Sequence, residues 1–214
     1  MKIASVETAV VDAGWRPWVF VKVETNTGVV GYGECSDGKN PWAVSGAIED
    51  LKPLVVGQDP RAYEMRFWDM IRGSRQSPGG VAAKAIAGIE LALIDIKARA
   101  LEISVTELFG GPTRDRVRVY WSHCGTSRAL NPALLRVPPL RKISDLAALG
   151  REVVDKGYTA LKTNIIFPGE PASLYFPCFG VGGGSTDQTV SCELLDHIVN
   201  QIGTFRDAVG KETD

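Results

Sequence analysis

Strands and helices alternate along the second half of the 214-residue chain. The run Arg116 to Trp121, RVRVYW, predicts a short strand, and Tyr158 to Asn164 predicts the next one. Apolar spacing predicts helices over Ser144 to Lys156 and Ser191 to Val209, the first with its serine as N-cap and Gly157 as C-cap. Strands that alternate with helices in this way predict a parallel sheet.

The first half of the chain has a different pattern. Three alternating runs, Ile3 to Asp12, Trp18 to Thr25 and Val29 to Cys35, predict a three-stranded antiparallel meander. The period then changes, and helices are predicted over Pro41 to Leu51, Pro60 to Arg72 and Val81 to Leu101. The chain is therefore expected to divide near residue 115, into an α+β module over 1–115 and a βα-repeat module over 116–214.

The second module holds only two predicted strand–helix units. A (β/α)8 barrel needs about 200 residues or more, so the module is expected to be incomplete. A long loop is predicted over residues 165–190. Its Gly-rich run GVGGGSTD, Gly180 to Asp187, lacks the GxGxxG spacing of a dinucleotide-binding turn and is predicted to be a flexible insertion.

Composition excludes several classes of function. The 24 Lys and Arg residues balance 25 Asp and Glu residues, and the net charge of −1 gives no pull toward nucleic acid or an anionic membrane. The start of the chain lacks the apolar region of a signal peptide, and Glu90 and Asp95 interrupt its most apolar segment, so no membrane span is predicted. Four dispersed cysteines and two histidines give no metal-ligand spacing, which favours a reduced, cytoplasmic protein.

The segment Gly88 to Tyr120, GIELALIDIKARALEISVTELFGGPTRDRVRVY, resembles the junction between cap domain and barrel in the mandelate racemase/muconate lactonizing branch of the enolase superfamily. Its helix, its SVTELFGG segment and its RDRVRVY strand follow the order of that family. GYGE, Gly31 to Glu34, is similar to the third strand of the family's cap. The chain departs from the family pattern at Glu90, Ile94 and Glu102, where aspartate, tryptophan and glycine are common.

The resemblance extends over essentially the whole chain and implies a fold. Residues 1–115 would form an α+β capping domain, a three-stranded antiparallel meander with helices. Residues 116–214 would form the first two βα units of a (β/α)8 TIM-type barrel, truncated after the second unit.

The resemblance also implies a reaction and a cofactor. The family removes the proton α to a carboxylate, and the doubly charged intermediate needs cations, supplied by Mg²⁺ and lysine. The expected substrate is a small-molecule carboxylate, a sugar acid, and the expected enzyme is a homo-oligomer. The family's metal ligands are carboxylates on later barrel strands, so this chain is expected to lack them and to be inactive alone.

Five residues are implied for the site. The family's second barrel strand carries a Lys-x-Lys-like motif, which here reads Lys162-Thr163-Asn164. Lys162 and Asn164 share one strand face and are expected to point into the barrel, toward the substrate carboxylate and the α-carbon. His123, after the first strand, is expected near the same cavity. Trp15 and Arg16 occupy the loop that closes the family's barrel mouth; this loop is expected to be mobile without ligand and to bind an acidic substrate.

Each of these residues has a plainer interpretation. Lys162 could extend to solvent, Asn164 could start a turn, and His123 could be structural. Cys124 beside His123 resembles a nucleophilic pair, but adjacent strand residues point to opposite faces. His197 is predicted to be a surface or packing residue. Weaker candidates for the loop surface are Arg75, Ser36 and Asp37.

The chemistry of Asn164 distinguishes two reactions. An amide takes up no proton near neutral pH, so Asn164 cannot be a general base. Racemisation needs a base on each face of the α-carbon, whereas dehydration needs one base and an acid, so Asn164 favours dehydration. The alternatives are a racemase, epimerase or lactonizing enzyme of the same superfamily, and a non-catalytic fragment that lacks the metal site.

Overall fold

The structure is a computed structural model that describes residues 1–175 and 190–214, so the run GVGGGSTD lies outside the described residues. The chain divides into two compact units, Met1–Asp115 and Arg116–Asp214. The strands are β1 (Ile3–Asp12), β2 (Pro17–Thr25), β3 (Val30–Glu34), β4 (Ile165–Phe167) and β5 (Ser173–Tyr175). The helices are α1 (Pro41–Val55), α2 (Tyr63–Gly73), α3 (Gly80–Ala100), α4 (Val105–Leu108), α5 (Thr126–Leu130), α6 (Pro132–Leu135), α7 (Ile143–Asp155) and α8 (Cys192–Val209).

The first unit is an antiparallel sheet covered by helices. Its strand order is β1-β2-β3, which confirms the predicted meander. Alternate residues of β2 are fully buried, as the period of a strand with one covered face requires. They share one core with residues of α1 and α3; its members include Val19, Val21, Val23, Val44, Ile48, Ile86, Ile89 and Leu93.

Two glycines of the GYGE run let β3 approach α3 closely. A Cβ atom at Gly33 would lie 2.0 Å from the carbonyl oxygen of Gly88, and one at Gly31 would lie 2.2 Å from that of Ala92. Neither position has room for a side chain. Helix–sheet packing therefore requires the two glycines of the run, a reason that the sequence alone does not reveal.

The second unit has its own core between α7 and α8. Leu146, Leu149 and Val153 of α7 pack with Phe205 of α8. The cluster also contains Ile166 of β4, Cys124, Ala129 and Leu140. Gly157 follows α7 with a φ of 76°, the left-handed conformation that suits a C-cap glycine. The two helices therefore pack against each other and against the extended chain of β4.

Several expectations for the second unit were wrong in detail. Residues 116–121 and 158–164 form no regular strand; they share one parallel bridge, between Trp121 and Leu161. The predicted loop over 165–190 contains the hairpin β4–β5 in its described part. Ser144 is not the N-cap of α7, because the helix begins at Ile143 and its N-cap is Lys142. The Asp145 carboxylate accepts the backbone N–H groups of Arg141 and Lys142 at this helix start.

No helix in the described part of the chain combines the length and the apolar character needed to cross a bilayer.

Candidate active site

Two extended segments of the second unit run in parallel and end at the same edge. Trp121 donates its N–H to the carbonyl of Ala160 (3.0 Å), and the Trp121 carbonyl accepts the N–H of Lys162 (2.9 Å). Cys124 then donates to the carbonyl of Lys162 (2.7 Å). This is the slanted bonding pattern of a parallel pair. Lys162 therefore lies where the two segments terminate together, beside the turn that follows Trp121.

A third segment has the same direction. Asp214 donates its N–H to the carbonyl of Thr159 (3.0 Å) and its carbonyl accepts the N–H of Leu161 (2.8 Å). Its carboxylate pairs with Arg118 (2.7 Å), at the start of the first extended segment rather than at its end. The three segments are thus aligned in parallel, and the carboxylate of Asp214 is paired with Arg118.

Alternation separates two faces of the 158–164 segment. Leu161 and Thr163 line a groove with Phe205 and Val209 of α8, so this face is covered by the helix. Lys162 lies between them in sequence, and alternate side chains of an extended chain point to opposite faces, so Lys162 belongs to the other face. Its side chain is exposed, and within the described residues its ammonium makes no ion pair or hydrogen bond. A cation in this position remains available to an external anion.

Asn164 is half-buried and held at two points. Its Oδ1 accepts a hydrogen bond from the buried hydroxyl of Thr126 (2.8 Å), and its backbone carbonyl accepts one from the Gln201 amide (2.7 Å). Sequence reasoning missed both partners. A sequence signal for such partners is a polar residue at a position where the helix pattern predicts an apolar one, as at Gln201 on the buried face of α8. With Oδ1 engaged, the amide nitrogen of Asn164 is the group left to donate.

His123 lies at the end of the first extended segment. It has a φ of 53°, which turns the chain out of the extended conformation, and its ring is exposed. Its Nδ1 lies 2.8 Å from the hydroxyl of Ser122. The backbone bond from Cys124 to Lys162 therefore brings His123, Lys162 and Asn164 to one edge of the second unit.

Cys124 does not form a nucleophilic pair with His123. Its side chain is fully buried in the core while that of His123 is exposed. Burial raises the pKa of the Cys124 thiol to about 12, so the thiol stays protonated at neutral pH. The geometry supports the sequence argument against this pair.

Trp15 and Arg16 lie in the first unit, in the turn between β1 and β2. The guanidinium carbon of Arg16 is 4.5 Å from the ring centre of Trp15 and 5.7 Å from that of Trp18. Both distances are within cation–π range. The turn is closed by a bond from the Ala13 N–H to the Arg16 carbonyl (3.2 Å). The structure thus brings these two candidates together on one exposed turn.

The weaker candidates differ in their surroundings. Ser36 accepts the backbone N–H of Val19 (3.1 Å), and Asp37 pairs with Lys84. The hydrogen bond from Lys84 holds the pKa of Asp37 below its ordinary value. Both side chains are therefore engaged in the first unit, whereas Arg75 is exposed.

The described residues do not provide a cage for Mg²⁺. Among them, no three His, Cys, Asp or Glu side chains converge as a metal site would require. The carboxylates of Asp214 and Glu170 are paired with Arg118 and Arg141. Mg²⁺ prefers several oxygen ligands at octahedral positions, and no such set exists in these residues.

Comparison with known proteins gives a match to one family model and similar relatives. Residues 1–110 match the family model of the mandelate racemase / muconate lactonizing enzyme N-terminal domain. A D-xylonate dehydratase of Haloferax volcanii is 30% identical over 216 residues, which cover 100% of this chain and 46% of the relative. A D-galactonate dehydratase of Verminephrobacter eiseniae is 35% identical over 147 residues, 69% of this chain and 35% of that relative.

A solved structure is similar over the whole chain. It is the "putative L-alanine-DL-glutamate epimerase" from Burkholderia xenovorans strain LB400, bound to magnesium and fumarate. Its TM-score is 0.91 at 34% identity, and the alignment covers 100% of this chain and 53% of that one. This chain therefore spans about half the length of the proteins that it matches, and both of its units share their fold.

Proposed function

Because the chain belongs to the mandelate racemase/muconate lactonizing enzyme family of the enolase superfamily, we propose that it forms part of an acid-sugar dehydratase. The proposed reaction removes the proton α to the substrate carboxylate and expels the β-hydroxyl as water, leaving a 2-keto-3-deoxy acid. Two curated relatives named as sugar-acid dehydratases support this reaction class.

One observation of the geometry carries the proposal. Lys162 presents an ammonium that no described residue compensates, at the common end of two parallel segments. Removing the α-proton places a second negative charge on the substrate carboxyl group. A fixed cation beside those oxygens stabilises that charge more than it stabilises the ground state, which is how such a group accelerates the reaction.

Asn164 supports dehydration over proton transfer between the two faces of the α-carbon. Its amide can hold a substrate oxygen through its N–H group but cannot take up a proton. His123, exposed at the same edge, is proposed to donate to or accept from a substrate hydroxyl or carboxylate. The proton at the α-carbon then needs a base other than Lys162, Asn164 and His123.

The reaction is proposed to depend on Mg²⁺. Enzymes of the enolase superfamily are known to combine a Lys or His base with Mg²⁺, which stabilises the charge of the substrate when bound. A structural relative is described as bound to magnesium. The described residues do not fit the ion, and the proposed role of Lys162 is that of a cation acting without it.

A sugar acid is the proposed substrate, because both curated relatives are named for one, D-xylonate and D-galactonate. Arg16 in the first unit is proposed to bind the acidic or hydroxyl groups of that substrate. A guanidinium matches a carboxylate with two parallel hydrogen bonds.

Product analysis tests the proposal. The complete enzyme of which this chain is proposed to form part is incubated in D₂O with Mg²⁺ and a panel of sugar acids that includes D-xylonate and D-galactonate. Dehydration yields a 2-keto-3-deoxy acid. The main alternative, an epimerase, is favoured by the description of the structural relative as a putative epimerase. An epimerase would give an α-deuterated, inverted acid without loss of water. That second product would replace the proposed function by the alternative.

A further inference from the structure

Gln201 is a fully buried polar side chain that the proposed mechanism does not use. It lies on α8 and pairs with the backbone on both sides of Ile165. Its Nε2 donates to the carbonyl of Asn164 (2.7 Å), and its Oε1 accepts the N–H of Ile166 (2.8 Å). A buried amide is costly unless its polar atoms are bonded, and here donor and acceptor are both used.

His197 supports the same stretch one helical turn earlier. Its Nε2 lies 2.7 Å from the carbonyl oxygen of Ile166, and its ring stacks on Phe167 with centroids 4.4 Å apart and planes 16° apart. Residues four apart lie on one face of a helix, so His197 and Gln201 act together. α8 thereby supplies through side chains the backbone bonds that a neighbouring strand would otherwise supply to β4.

These contacts fix where the parallel segment ends. Up to Lys162 the backbone bonds to the neighbouring parallel segment, and from Ile165 it bonds to β5. Asn164 lies at the change of partner. The Asn164 carbonyl also accepts from the hydroxyl of the adjacent Thr163 (3.0 Å), which is shared with the carbonyl of Cys124 (2.9 Å). Without Gln201, that shared bond would be the remaining one to the carbonyl, and α8 would no longer hold it.

We propose that Gln201 is a positioning residue that fixes the direction in which Asn164 presents its amide beside Lys162. The inference rests on the proposed function, because it assumes that these two residues meet the substrate. A catalytic group displaced by about 1 Å can lower the rate by roughly 100-fold, so a helix that clamps this backbone matters for turnover.

The test compares variants at one place in the core, in the complete enzyme of which this chain is proposed to form part. Gln201→Met keeps the length of the side chain and removes both hydrogen bonds. Phe205→Leu is the matched control, because it lies one turn further along α8, is buried in the same core and touches neither Asn164 nor Ile166 through a hydrogen bond. If Gln201→Met does not fold, Gln201→Asn replaces it, since the shorter amide cannot reach both backbone groups.

For Gln201→Met the expected result is a fall in kcat of about 10- to 100-fold with a nearly unchanged KM. Phe205→Leu is expected to lower Tm while retaining kcat. If Gln201→Met and Phe205→Leu have the same Tm and lose the same factor in kcat, the inference is overturned, because Gln201 would then act only through stability.

A second readout separates this inference from the proposed function. The side-chain amide resonance of Asn164 is expected to move in the NMR spectrum of Gln201→Met and to stay in place in Phe205→Leu. If the wild-type enzyme forms no keto acid from any sugar acid, the proposed function fails. The positioning role of Gln201 is then tested by this resonance alone. An unmoved resonance in the Gln201 variant contradicts the positioning role.

Discussion

The guanidinium of Arg16 lies against two indole rings on an exposed turn, an arrangement that limits its side-chain freedom before any substrate binds. In the complete enzyme, we expect Arg16→Ala to raise KM for acidic sugars by roughly 10-fold, the equivalent of one hydrogen bond to a charged group, with less effect on kcat. Steady-state kinetics measure both constants. Arg61→Ala is the control, because Arg61 is an exposed arginine of the same unit that pairs with Asp59. An unchanged KM removes Arg16 from the substrate site.

Cysteine reactivity is a second property of single residues. Burial raises the pKa of Cys124 to about 12 and that of Cys35 to about 11, so both thiols stay protonated below those values and the reactive thiolate is scarce at pH 8. Cys192 is exposed. Alkylation of the folded protein at pH 8, followed by peptide mass analysis, should label Cys192 and leave Cys35 and Cys124 unlabelled. Rapid labelling of Cys124 would contradict the burial of its thiol in the core of the second unit.

At the scale of elements, the contact between β3 and α3 depends on two glycines. We expect Gly33→Ala to lower the free energy of unfolding by about 1–3 kcal/mol or more, because its Cβ would meet the Gly88 carbonyl. Gly46→Ala is the matched control in α1, where an added Cβ meets nothing within 4 Å. That change should stabilise the protein by roughly 0.5–1 kcal/mol. Urea unfolding measures both, and equal effects of the two changes would refute this packing argument.

The long elements of the fold were predictable because each carries its own periodic pattern. The three strands of the meander, α3 and α8 were found within a few residues of their observed positions. α8 also has the expected serine cap, since the Ser191 hydroxyl accepts the N–H of Leu194 (3.1 Å). These features depend on neighbouring residues in sequence, so the sequence alone was enough.

The short elements were not predictable for the opposite reason. Residues 116–121 have a strand-like composition but only one bridge partner, and β4 depends on β5 and on side chains from α8. In the candidate site, Lys162 and Asn164 followed from a family motif. Thr126 and Gln201 are joined to Asn164 across about 40 positions of sequence, which no local pattern records.

At the scale of the whole molecule, this chain matches 46% of the D-xylonate dehydratase and 53% of the structural relative. We expect calorimetric titration of the 214-residue chain with Mg²⁺ to show no stoichiometric binding, because Asp214 and Glu170 are neutralised by arginines and no described cluster offers three ligands. The longer relatives, such as the D-xylonate dehydratase, should bind the ion in the same assay. Tight binding of one Mg²⁺ per chain would show that side chains outside any described cluster converge on the ion.

The most direct test of the proposed active site uses the complete enzyme of which this chain is proposed to form part. It measures the turnover of Lys162→Ala on a sugar acid that the wild-type enzyme dehydrates. The control is Lys211→Ala, which removes an exposed lysine of the same unit from the turn after α8. Loss of a cation that stabilises the doubly charged intermediate should lower kcat by about 100-fold or more, while the control retains wild-type turnover. If Lys162→Ala forms 2-keto-3-deoxy acid as fast as the control, the end of the extended segment that carries Lys162 is not the catalytic site.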